Sequence, residues 1–133
     1  MKQAVIEALR GHGIQPSPQR VAVAEYVLDT HDHPSADQVW ARARRRLPVL
    51  SRATVYNTLK LFVEKKLIRE LIVDPAKIVY DPNTEPHHHL YDVATGRLTD
   101  IPADNIRVLG LPPLPAGTVA DGVDIIVRTR PES

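Results

Sequence analysis

Three consecutive histidines, His87, His88 and His89, stand between Asp81 and the pair Tyr91-Asp92, in a chain with six histidines and no cysteine. Imidazole nitrogens and carboxylate oxygens are the donors that hold a divalent first-row metal where no thiolate is available. If HHHLYD is a strand, alternation puts His87 and His89 on one face and His88 on the other. Two imidazoles on one strand face make half of a metal site. Asp81 ends the preceding strand-like run, and Asp100 lies across the turn ATG in the next one, so hairpin pairing could bring both carboxylates near. His33, in HDHPSAD, comes from the other half of the chain. Three imidazoles and two carboxylates suit Fe(II), Mn(II) or Zn(II), with iron and manganese favoured by the oxygen share and by a coordination number above four. The plain alternative for such an HxH is a polar surface strand, and His12 and His31 are read as surface residues by that default.

These donors need a scaffold, and the first 66 residues supply one in helices with clear punctuation. Val5, Ala8 and Leu9 recur at helical spacing until Gly11 and Gly13. Ser17-Pro18 is an N-cap followed by proline at the first helical position, opening a helix to about Asp29 that buries Val21, Ala24, Val27 and Leu28. Ser35 with Gln38 forms a capping box for a third helix, whose Ala36, Val39, Trp40, Ala43 and Leu47 share one face until Pro48. Ser51 caps a fourth, with Val55, Leu59, Phe62 and Val63 inward. The short link PVL between the third and fourth helices is helix-turn-helix spacing. After Lys66 the runs LIRELIV and KIVYD, parted by DPA, read as a hairpin, which completes a winged helix-turn-helix outline. From residue 82 onward come HHHLYD, RLTDI, a rigid proline-rich bend LPPLPAG and a last strand GVDIIVRTR. The expected class is α+β, with a first domain over 1–81 and a small second domain over 82–133.

Charge divides the same way. Residues 1–70 carry 12 Lys/Arg against 7 Asp/Glu, and residues 71–133 carry 5 against 9. A basic half joined to an acidic half suits a nucleic-acid module followed by a cation-binding or dimerising one. On the fourth helix Tyr56, Asn57 and Lys60 lie opposite the apolar stripe, with Arg52 at the end that enters the major groove in such motifs. The arginines of ARARRR (41–46) either compensate a helix terminus or contact phosphate. No run of about 18 to 20 apolar residues offers a membrane span, and the N-terminus is amphipathic, so the expected location is cytoplasmic.

PSPQR (16–20), HPSADQVW (33–40), SRATVYNTLKLF (51–62), YD (80–81), HHH (87–89) and TGRLTDI (95–101) occur in the order and spacing of the ferric uptake regulator (Fur) family. The sequence resembles a short member of it, close to its peroxide-sensing branch and to its iron- and haem-responsive Irr group. The resemblance implies a winged-helix domain hinged to a small α/β dimerisation domain, acting as a metal-dependent homodimeric repressor at a palindromic operator, and not an enzyme. Carried over residue by residue, the regulatory metal ligands are His33, Asp81, His87, His89 and Asp100. The DNA-binding set is Arg20, Arg52, Tyr56, Asn57 and Lys60. Aspartate at both carboxylate positions is similar to the peroxide-sensing pattern.

The departures are informative. The family's CxxC pairs for structural zinc are missing, with Asp92 and Thr95 where the first would be. Gln15 replaces a basic residue, only His88 survives of a second metal site, and the chain beyond residue 102 lacks the family's dimerisation helix. The absent Cys-Pro motif disfavours haem, although histidine ligation of haem stays open. The mechanism implied is that Fe(II) or Mn(II), or Zn(II) in purified protein, links the two domains, and that peroxide with Fe(II) oxidises a ligand histidine to its 2-oxo form. An iron- or haem-responsive regulator is the rival. A small mononuclear metal enzyme built on HxHxxD is more remote, because the chain is too short for a double-stranded barrel.

Overall fold

A computed structural model of the chain describes residues 2–30, 32–74, 76–85 and 87–132. The chain separates into two compact units, residues 1–84 and 85–133, where the sequence reading places the boundary after Asp81. His31 lies outside the described residues.

The first unit opens with four helices, α1 (Lys2–Gly11), α2 (Pro18–Val27), α3 (Ala36–Ala43) and α4 (Arg52–Glu64). Each of the last three begins as its sequence dictates. Ser17, Ser35 and Ser51 accept hydrogen bonds from the backbone amides of Arg20, Gln38 and Thr54, and at α3 the Gln38 side chain returns the bond to the Ser35 amide. Helix ends α1 and α4 close in the same way. Gly13 (φ 73) and Lys66 (φ 63) take left-handed backbone, and the amides of Ile14 and Leu67 reach back to the carbonyls of Leu9 and Phe62 at 2.9 Å. Ile14 and Leu9 at one closure, and Leu67 and Phe62 at the other, are buried in the same apolar core, as often accompanies this cap.

Helix α3 is shorter than its apolar spacing suggests. It ends at Ala43, and Arg45 and Arg46 turn tightly onto the carbonyls of Arg42 and Ala43 before Leu47. Pro48 explains this, since proline disfavours helical backbone in the residue before it and so loosens the last turn. Helix α2 likewise stops at Val27 rather than Asp29. Val23, Val27, Val39, Val55, Leu59 and Phe62 are fully buried between the helices and form the core.

Strands β1 (Arg69–Asp74) and β2 (Lys77–Asp81) make the antiparallel wing, with Glu70 opposite Tyr80 and Arg69 opposite Asp81. The second unit holds β3 (His87–Asp92), β4 (Leu98–Pro102), a 3-10 turn at Ala103–Asn105 and β5 (Ile126–Thr129). The strand order is β4-β3-β5, with β4 antiparallel and β5 parallel to β3. The expected strand GVDIIVRTR is thus realised only at its centre. Residues 106–125, including LPPLPAG, carry no regular element, as their prolines and glycines dictate.

Candidate functional site

In the first unit the amide of Tyr80 donates to the carbonyl of Pro34 at 2.9 Å. That single bond lays the segment before α3 against β2, and it sets the residue before Pro34 beside the residue after Tyr80. His33 Nε2 therefore lies 3.2 Å from Asp81 Oδ2, with both side chains largely buried. The carboxylate divides its work, since its other oxygen accepts from the Asn83 amide at 2.9 Å. His33 itself has φ 51, although it is neither glycine nor asparagine and precedes a proline. Such backbone costs on the order of 1–3 kcal/mol and is retained where a side chain must be aimed.

In the second unit His89 pairs directly across the ladder with Asp100, and His87 lies two residues along on the same face. Asp100 Oδ1 is 3.3 Å from His89 Nε2 and 3.7 Å from His87 Nε2, and the two rings meet edge to face at 4.5 Å. His87 Nδ1 donates to the Glu85 carbonyl at 2.7 Å, which turns Nε2 to the Asp100 side. A backbone carbonyl behind an imidazole is the usual outer partner of a metal-binding histidine. Across the ladder of this hairpin stands Asp100, while Asp81 belongs to the other sheet and lies against His33.

His88 points to the opposite face and is occupied differently. Its Nδ1 accepts the amide of Ile125 at 3.1 Å, while the Ile125 carbonyl accepts from the His89 amide at 3.0 Å. The ring fastens the start of β5 to β3, a role that no spacing in HHH announces.

The donors in both clusters are imidazole nitrogen and carboxylate oxygen, without thiolate, so their chemistry fits Fe(II), Mn(II) or Zn(II). The first unit offers one imidazole and one carboxylate. The second offers two imidazoles and one carboxylate. Neither set alone fills the coordination sphere of such an ion.

On α4, Arg52, Tyr56, Asn57 and Lys60 are all exposed. Arg20, at the start of α2, donates to the Gln15 carbonyl at 2.8 Å and lines one depression with Asn57. Two residues absent from the sequence-derived set organise this face. The Tyr56 hydroxyl donates to Asp37 Oδ1 at 3.2 Å, and Arg52 lies 3.8 Å from the same oxygen. Partial burial, and then the Asp37 carboxylate, raise the Tyr56 hydroxyl above its ordinary value. Trp40 donates from Nε1 to the Leu50 carbonyl at 2.9 Å and carries the guanidinium groups of Arg44 and Arg52 over its ring. The arginines of ARARRR part company: Arg42 lies over Tyr26 and Arg46 pairs with Glu25, both on α2, while Arg44 stays with Arg52.

A winged helix-turn-helix unit followed by a small sheet unit, each with an imidazole–carboxylate cluster, defines the class of this molecule. The ferric uptake regulator family model matches residues 11–110, and the chain belongs to that family. The peroxide-responsive repressor PerR of Staphylococcus epidermidis is 33% identical over 95 residues, 71% of this chain and 63% of that protein. The chain thus spans less than two thirds of the length of this curated relative. Among solved structures, the iron-bound ferric uptake regulator of Francisella tularensis aligns with TM-score 0.71 at 18% identity, over 90% of this chain and 93% of its own. The peroxide stress regulator of Campylobacter jejuni aligns with TM-score 0.64 at 21% identity, over 98% and 96%. These relatives are named as regulators and not as enzymes. No helix among the described residues is long and apolar enough to cross a membrane.

Proposed function

We propose that this chain is a homodimeric, metal-dependent, DNA-binding repressor of the cytoplasm that senses peroxide by oxidation of a ligand histidine. The observation that carries the reading is the division of donors: His33 and Asp81 in one unit, His87, His89 and Asp100 in the other, each set incomplete alone. One ion shared by all five ligands ties the two units together and so biases a hinge. A shift from 1:99 to 99:1 between open and closed forms needs about 5.5 kcal/mol of preference. Loss of a single imidazole removes enough of that to release the hinge.

Bound Fe(II) would supply the reductant that cleaves peroxide beside the imidazoles. The chain's part is to hold oxidisable rings there. His87, with Nδ1 held on the Glu85 carbonyl, cannot rotate away, and His33 is fixed by its backbone and by Asp81. A 2-oxo ring is a poorer donor, so oxidation weakens metal binding and frees the operator. Peroxide-responsive relatives at 33% identity support this reading over iron or haem sensing. A homodimer is supported by exposed Leu109, Leu111, Leu114 and Val119 in the second unit. Tyr56, Arg52, Asn57, Lys60 and Arg20 are the proposed contacts to a palindromic operator.

The test is operator binding by apo, Mn(II) and anaerobic Fe(II) protein, with and without stoichiometric peroxide, followed by peptide mass spectrometry. Loss of binding by the Fe(II) form alone, with one oxygen gained on His33, His87 or His89, is expected. Survival of both metal forms would instead assign the protein to metal or haem supply.

A further inference from the structure

The sequence reading leaves open what the arginines at the end of α3 do, and the structure separates them. Arg42 and Arg46 are spent on α2, through Tyr26 and Glu25. Arg44 is exposed and, among the described residues, has no carboxylate partner. Its guanidinium carbon lies 4.5 Å from the centroid of the Trp40 ring, and that of Arg52 lies 4.6 Å from the same centroid. One arginine comes from the end of α3 and the other from the first position of α4, so the indole joins the two ends of the helix-turn-helix link.

Three features make this a built arrangement. The indole cannot swing, because Nε1 donates to the Leu50 carbonyl at 2.9 Å and the ring packs against the core. Stacking on an aromatic ring orients a guanidinium and leaves its in-plane N–H groups for an anion. Two like charges gathered on one ring are unfavourable without a counter-charge. Asp37, 3.8 Å from Arg52, supplies only part of one and is itself half exposed.

We propose that Arg44 and Arg52, held on Trp40, clamp one phosphodiester group of the DNA backbone. The proposal rests on the DNA-binding reading above and deepens it by naming the phosphate contact and its platform. The phosphate displaces Asp37 from Arg52 and its single negative charge is shared between the two guanidinium groups. Such a contact positions the recognition helix and reads no base. Its effect is therefore uniform across sequences.

The experiment uses the full-length Mn(II)-loaded protein and a fluorescent random-sequence 30-base-pair duplex, with anisotropy measured from about 50 to 200 mM salt. The double variant Arg44→Gln/Arg52→Gln, which gives up the one phosphate, is expected to lower the slope of log affinity against log salt by about 0.9, so that wild-type affinity falls about threefold more than the variant's across that range, and each single variant is expected to lose part of that increment. Arg107→Gln, which removes the same charge in the second unit, leaves the slope unchanged. Trp40→Leu, with both arginines retained, is expected to lose most of the same increment. If it fails to fold by circular dichroism, the exposed Arg44→Gln decides. Unchanged slopes in the arginine variants, with wild-type binding intact, would overturn the clamp alone. Absence of any salt-dependent binding by wild type would overturn the DNA-binding reading and the clamp with it.

Discussion

His33 and Asp81 meet at 3.2 Å because the backbone of Tyr80 is bonded to that of Pro34, one residue inward from each. This imidazole–carboxylate pair is thereby built into the junction between the wing and α3, the helix that precedes α4. Movement at His33 is movement at the N-terminus of α3, and Asp37 in the first turn of α3 holds Tyr56 and Arg52 of α4.

A shared ion makes a specific prediction about stoichiometry. Calorimetric titration of the apo protein should give one Mn(II) per chain. His33→Ala and His89→Ala should each lower its affinity by at least the 10- to 100-fold that even an outer-shell partner contributes, to about that order. Two independent sites would instead give two ions in wild type and one in each variant.

His88 should behave differently from its neighbours. His88→Ala leaves the Ile125 amide without its acceptor, and urea denaturation should show a loss of about 1–3 kcal/mol. Mn(II) affinity should change little. A large loss of affinity in this variant would show that His88 is a ligand.

Asp37 restrains two side chains of the recognition face and places a negative charge on it. Asp37→Ala should strengthen binding to random duplex, because a charge that repels phosphate is gone, and should reduce the preference for operator, because Tyr56 is no longer held. The Tyr56 titration, followed by carbon NMR on labelled tyrosine, should move down, since the carboxylate is one cause of its elevation after partial burial. An unchanged ratio of operator to random affinity would remove Asp37 from any positioning role.

Tyr80 gives a pH dependence with a definite sign. Burial, then Glu70 opposite it, then Tyr56, raise its hydroxyl above 10.0. The folded form holds this proton more tightly than the unfolded chain, so the stability it contributes is complete below about pH 10 and is lost as pH rises through the folded value. Urea midpoints should fall steeply above pH 10 in wild type and less steeply in Tyr80→Phe. Parallel curves for the two proteins would contradict this.

Much of the molecule was legible in one dimension because its signals are local. Serine caps, the capping box, apolar helical spacing and strand alternation act within a few residues, and α1 to α4, β1 to β4 and the shared face of His87 and His89 follow from them. The family motifs likewise lie in continuous runs. What the tertiary structure alone decided depends on contacts that sequence spacing does not encode. Asp81 meets His33 because a backbone bond between Tyr80 and Pro34 puts them together. His88 is a fastener because β5 returns parallel to β3 and needs its first amide satisfied. Trp40, which reads as a core position, and Asp37, to which the sequence reading assigns no role, became the holders of Arg44, Arg52 and Tyr56 because packing of α3 on α4 chose which side chains share a surface.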